Sequence, residues 1–136
     1  MQRHKLVSAL LFLLSGLLTQ AQLRVPAFTA YLDPQTDGAR VSKEGVTRWT
    51  DPGVKVSWFG QFAQTGDLGC QLEIVAPSNS VATLRLSLGD VSRDVTLHGE
   101  GKTPVIADFG QFPIRASGYH KFTLSSLATD GKPVGT

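Results

Sequence analysis

From residue 54 onward, apolar side chains recur at every second position in short runs punctuated by Gly, Pro, Asn and Asp, and this rhythm narrows the fold more than any other feature. Period-two alternation places one set of side chains on each face of an extended strand, so each run predicts a half-buried β-strand. In residues 54–62, Val54, Val56, Trp58 and Gly60 share one face, and Lys55, Ser57, Phe59 and Gln61 take the other. Leu68, Cys70, Leu72 and Ile74 repeat the pattern up to the Pro77-Ser78-Asn79 break, and Ala82, Leu84, Leu86 and Leu88 repeat it again. Gly89-Asp90 then joins that run to Val91, Val95 and Leu97, two turn residues between two alternating strands, which is a hairpin signal. Runs at 27–32, 105–109 and 119–124 bring the number to seven, with the loop around residues 113–118 dividing the last two. Regularly spaced short strands without an amphipathic helix predict an all-β, antiparallel β-sandwich of the jelly-roll type.

Two regions break the rhythm. Residues 33–53 form a 21-residue polar stretch carrying Asp33, Asp37, Arg40, Lys43, Glu44, Arg48, Trp49 and Asp51. Ordered loops of that length are uncommon in compact domains and are often functional. At the other end, Asp130-Gly131 is a turn signal with no strand between it and Thr136. A sandwich lacking its last strand would leave a sheet edge unpaired, so the chain reads as a fragment or as the leading module of something longer.

The first 21 residues read as an export signal: Arg3 and Lys5 precede an uncharged apolar run over residues 6–18, and Thr19-Gln20-Ala21 supplies small residues for cleavage before Gln22. The run is shorter than the ~20 residues that a membrane-spanning helix needs. The expected organisation is therefore a signal peptide at 1–21 and a single β-sandwich module at 22–136, exported to the periplasm or the extracellular space. Loss of Arg3 and Lys5 leaves 11 basic against 11 acidic residues. A neutral module without clustered Lys and Arg gives no electrostatic case for nucleic acid, or for a membrane once the signal is removed. One cysteine, Cys70, excludes an internal disulfide and leaves stability to the hydrophobic core.

Catalytic chemistry has little to stand on. The module contains only two histidines, His98 and His120, and neither lies in a nucleophile–base motif. Cys70 shares the apolar phase of its strand and reads as a small buried hydrophobe. Eleven scattered carboxylates define no glycosidase pair, since the separation that matters is spatial. No cofactor is implied. Asp33, Asp37 and Asp51 lie in or beside turns, where they could contribute to a structural calcium site, although Asp-Pro and Asp-Gly turns also account for them.

The aromatic residues carry the remaining functional signal. Sugar rings present apolar faces and hydroxyl edges, so a sugar site combines flat aromatic platforms with amide, carboxylate or guanidinium partners. Trp49 within the polar stretch, Tyr31 as a second platform, and Arg40 and Asp51 as hydrogen-bonding partners form the expected ligand-binding set. Phe59 and Tyr119 are weaker candidates, and Trp58, in phase with Val54 and Val56, reads as core. A second reading of Trp49 stands beside the first: a loop tryptophan can instead plug the open end of a sandwich.

Five ordered segments sharpen the picture: Pro26-Ala27-Phe28-Thr29-Ala30-Tyr31-Leu32, Gly38-Ala39-Arg40-Val41-Ser42, Trp49-Thr50-Asp51-Pro52, Val54-Lys55-Val56-Ser57-Trp58-Phe59-Gly60 and Gly118-Tyr119-His120-Lys121-Phe122. Together they resemble a family of secreted domains known as domain of unknown function 5077, over a span from about Val25 to the last residue. The resemblance implies a β-sandwich similar to carbohydrate-binding modules in bacterial exported proteins. It also implies a second domain, of the family numbered 3472, following it, and it brings no established activity or site residues. The sequence-level expectation is thus a non-catalytic exported module that binds a polysaccharide or other glycan, or is accessory to a downstream domain. The alternative is a structural domain without a ligand, whose aromatics pack against a C-terminal neighbour.

Overall fold

A computed structural model describes residues 23–35 and 37–129, so the export signal and the turn at Asp130-Gly131 lie outside the described residues. Among the described residues, a short 3-10 turn at Ala27–Thr29 is followed by nine strands: β1 Tyr31–Asp33, β2 Arg40–Ser42, β3 Gly45–Thr47, β4 Lys55–Phe62, β5 Gly66–Ile74, β6 Val81–Leu88, β7 Val91–His98, β8 Val105–Ile114 and β9 Gly118–Thr129. They make an all-β antiparallel sandwich, as the alternating pattern predicts. One sheet has five strands in the order β1-β4-β9-β6-β7, and two-stranded sheets are formed by β5 with β8 and by β2 with β3.

The apolar phase of each long strand turns inward. Val54 and Val56, Leu84, Leu86 and Leu88 of β6, Leu97 of β7, and Phe122 and Leu124 of β9 are buried from the five-stranded side. From the other side come Ala107, Phe109, Phe112 and Ile114 of β8, with Leu68, Cys70, Leu72 and Ile74 of β5 packed against them. Phe112 meets Phe122 edge-on across the two layers, with ring centroids 6.5 Å apart. On the flank between β7 and β8, the Arg93 guanidinium lies 5.9 Å over the Phe112 ring and donates to the Gln111 carbonyl at 3.3 Å. On the outer face of the five-stranded sheet, polar cross-strand pairs of β6 and β7 replace apolar ones: Thr83 with Thr96 at 2.8 Å, Ser87 with Ser92 at 2.9 Å, and Arg85 bidentate on Asp94 at 2.7 and 3.0 Å.

Three sequence expectations change. The run at 27–32 does not form one strand, because the Pro26 carbonyl accepts both the Thr29 amide at 3.1 Å and its hydroxyl at 2.7 Å, curling the chain before β1 begins. The polar stretch at 33–53 is not an open loop: it contains the β2–β3 hairpin, whose three-residue arms are too short for periodicity to reveal. Strand β8 runs five residues past Phe109, through what reads as a break. Pairing with β5 shifts register between Cys70 and Gln71, opposite Gly110, which takes φ +74°. The bulge reverses the phase, so Ala107 and Phe109 before it and Phe112 and Ile114 after it all face the core.

Candidate functional site

The polar stretch around Trp49 is built to hold a side chain inward. Arg48 adopts a left-handed φ of +52°, the Gly38 carbonyl accepts the amides of Thr50 and Asp51 at 2.8 and 3.1 Å, and the Asp51 carboxylate oxygen Oδ1 accepts the Gly53 amide at 2.8 Å. This folded-back turn drives the indole beneath β4, where its Nε1 donates to the carbonyls of Asp51 at 3.1 Å and Val54 at 3.0 Å. Trp49 is only 4% exposed. Of its two readings, the end plug is therefore the one the packing matches: a ring enclosed on both faces offers no platform to a sugar. Asp51 remains exposed, but its side chain and backbone build the turn.

Tyr31 and Arg40 do come together. They line one side of a depression of about 300 Å³ at the β1–β2 edge, with Gln35, Ala39 and Val41. Neither Trp49 nor Asp51 reaches it. A second cavity, of about 210 Å³, lies between the sheets beneath Trp49 and Trp58, with Glu44 and Glu73 among its lining residues. Arg24 neutralises Glu73 with a 2.6 Å ion pair.

The outer face of β1, β4 and β9 carries exposed aromatic side chains. Register places Tyr31 opposite Ser57, Phe59 opposite Lys121, and Gln61 opposite Tyr119. All these side chains point away from the core, since Val56, Phe122 and Leu124 occupy the inward phase. Tyr31, Phe59 and Tyr119 are 64%, 56% and 75% exposed. They fall on a straight diagonal, each step two residues along a strand and one strand across. The Tyr31 and Phe59 rings pack edge to face, with centroids 5.7 Å apart and planes at 79°. The Lys121 ammonium sits 5.9 Å from the Phe59 centroid. An aromatic residue on the polar phase of a strand is the signal that picks out Phe59 in the sequence. Trp49, a tryptophan among charged residues, is the more prominent signal in the sequence.

Groups with catalytic potential are scattered or engaged elsewhere. His120 Nε2 lies 2.7 Å from the Ala116 carbonyl, with its ring edge on Phe62, and His98 stands exposed at the end of β7. Burial pushes the Cys70 thiol above its ordinary pKa, away from the reactive thiolate. Among the described residues, no three His, Cys, Asp or Glu side chains are grouped so as to hold a metal ion.

Solved structures with this fold include several sugar-handling proteins. A cycloisomaltooligosaccharide glucanotransferase from Paenibacillus sp., complexed with cycloisomaltoheptaose, matches with a TM-score of 0.63 at 16% identity, over 80% of this chain and 17% of that one. The chain thus spans less than a fifth of that enzyme. Carbohydrate-binding module CBM36, in complex with calcium and xylotriose, matches at 0.57 and 20% identity over 81% and 90% of the two chains. A family 35 carbohydrate-binding module from Clostridium thermocellum matches at 0.52 and 16% identity over 77% and 82%. At these identities the likeness concerns the fold alone. No curated protein is a significant sequence match. The family model described as Domain of unknown function (DUF5077) matches residues 25–136.

Proposed function

The chain belongs to the DUF5077 family, and we propose that it is a non-catalytic, exported carbohydrate-binding module, accessory to a neighbouring domain, whose ligand surface centres on Tyr31. The observation that carries this reading is the set of three aromatic side chains, each more than half exposed, aligned on one sheet face beside Lys121 and Gln61. Isolated exposed hydrophobes are ordinary, whereas an aligned group with polar neighbours suits a ligand that has apolar faces and hydroxyl edges. Fold likeness to two carbohydrate-binding modules supports the same class of function. Arg40, on the wall of the depression beside Tyr31, provides a guanidinium for the hydroxyls of a bound sugar. The signal read at residues 1–21 delivers the module to the compartment where polysaccharides occur.

Affinity electrophoresis of the full chain through gels containing soluble polysaccharides tests the proposal. Retardation by at least one polymer, reduced in Tyr31→Ala and Arg40→Ala variants that keep the parent's thermal stability, is the expected result. A folded protein that no polysaccharide retards would overturn it and transfer the weight to a structural role in packing against a neighbouring domain.

A further inference from the structure

The shape of the exposed aromatic row selects among glycans. This step rests on the carbohydrate-binding reading and goes further, to the form of the ligand. Because Tyr31, Phe59 and Tyr119 occupy equivalent diagonal positions on β1, β4 and β9, their backbone positions span about 16 Å, from ~3.3 Å per residue along a strand and ~4.8 Å between strands. That exceeds the width of a single sugar ring. The Tyr31 and Phe59 planes stand 79° apart, so a rigid flat ribbon that lies on one ring meets only the edge of the other. A chain whose successive sugar rings rotate about its axis can present a face to each.

We propose that Tyr31, Phe59 and Tyr119 form an open track for the interior of a single, twisted polysaccharide chain, laid diagonally across β1, β4 and β9. Lys121, directly opposite Phe59, and Gln61, directly opposite Tyr119, flank the track and supply donors to the hydroxyl edges of the chain. Among the described residues all three rings are more than half exposed along the row, so the chain need not terminate there. The flat face of a crystalline polymer touches only one of the perpendicular rings. A monosaccharide fills one step of the row.

The full chain is tested against soluble xylan, mixed-linkage β-glucan and galactomannan by affinity electrophoresis, and against microcrystalline cellulose and chitin by sedimentation. The oligosaccharide series of the best polymer is then titrated calorimetrically. Expected are retention by a soluble polymer and affinity that climbs with oligosaccharide length until the row is covered. Phe59→Ala and Tyr119→Ala should each weaken polymer binding by about two- to tenfold, the worth of one aromatic stacking contact. Both side chains are exposed, so circular dichroism and thermal melting should confirm that these variants fold. A monosaccharide that binds as tightly as the polymer, binding confined to the crystalline solids, or indifference to both substitutions would overturn the track while leaving carbohydrate binding intact. Failure of the folded parent to bind any of these polymers would overturn the track and the proposed function together.

Discussion

Trp49→Ala separates a structural from a ligand-facing role for the indole most sharply. The wild-type ring is enclosed, and its single N–H is shared between the carbonyls of Asp51 and Val54. Truncating a buried tryptophan to alanine costs about 3–5 kcal/mol through lost transfer energy and the cavity left behind. The Asp51 carbonyl would retain the Val54 amide at 3.1 Å, so the polar loss falls mainly on Val54 and adds about 1 kcal/mol. Against a typical domain stability of about 5–15 kcal/mol, the substitution removes about a quarter or more of the total. For a domain of this size it lowers the melting temperature by about 15–25 °C. Trp49→Phe, which keeps most of the packing but no N–H, should lose only about 1–2 kcal/mol. Urea unfolding of the full chain, followed by far-ultraviolet circular dichroism so that the missing indole does not alter the probe, measures both variants. A Trp49→Ala protein within ~1 kcal/mol of the parent, but unable to bind a polysaccharide that the parent binds, would refute the plug and restore the platform.

Two further outcomes follow from the packing. A methyl group at Gly99 would run into the Pro77 carbonyl and the Ser80 hydroxyl, both part of the turn that leads into β6, so Gly99→Ala should destabilise by about 1–3 kcal/mol in the same urea assay, and an unchanged midpoint would contradict that close approach. The hydrogen bonds from Arg85 hold the Asp94 carboxyl below its ordinary pKa, so this group binds protons less readily in the folded chain than in the unfolded one. Its stabilisation is complete above the unfolded pKa and is lost as pH falls through the folded value. Asp94→Asn should therefore flatten the acid limb of the stability profile without altering the limb above neutrality, and because the pair is exposed the effect should shrink with added salt. Identical acid limbs for the two proteins would count against it.

Most of the strand content is legible in the sequence because the five-stranded sheet has one dry face and one wet face. Leu84, Leu86 and Leu88 alternate with Thr83, Arg85 and Ser87 in sequence as they do in burial. Gly89-Asp90 likewise marks the turn between β6 and β7. Legibility ends where local pattern and tertiary contact part. The reversal of phase at Gly110 shows only in the pairing with β5, where β8 carries an extra residue, Phe109, opposite the consecutive Cys70 and Gln71, so the residues of β8 taken alone read as a strand that stops early. Arms of three residues, as in β2 and β3, hold too few alternations to stand out. The site divides in the same way. Of the expected set of Trp49, Tyr31, Arg40 and Asp51, Tyr31 and Arg40 line one depression and the other two do not reach it. Trp49 instead turns inward on contacts with Val54 and Gly38-bonded neighbours, which composition does not reveal. The row through Phe59 and Tyr119 depends on strands that lie some 60 residues apart and become neighbours only in the folded sheet.

Strand β9 sits at the centre of the five-stranded sheet, bonded to β4 on one side and to β6 on the other, yet it is the last of the described strands to leave the ribosome. Until residues 118–129 emerge, β4 and the β6–β7 hairpin have no bridge, and each presents an open edge with an apolar face. The hairpin can close locally within microseconds, but the sheet awaits a non-local insertion, the kind of step that sets slow folding in all-β proteins. The nascent chain is thus most prone to pair with the wrong partner just before its middle strand arrives. The aromatic track, whose third ring is carried by β9, comes into being at the same moment as the sheet.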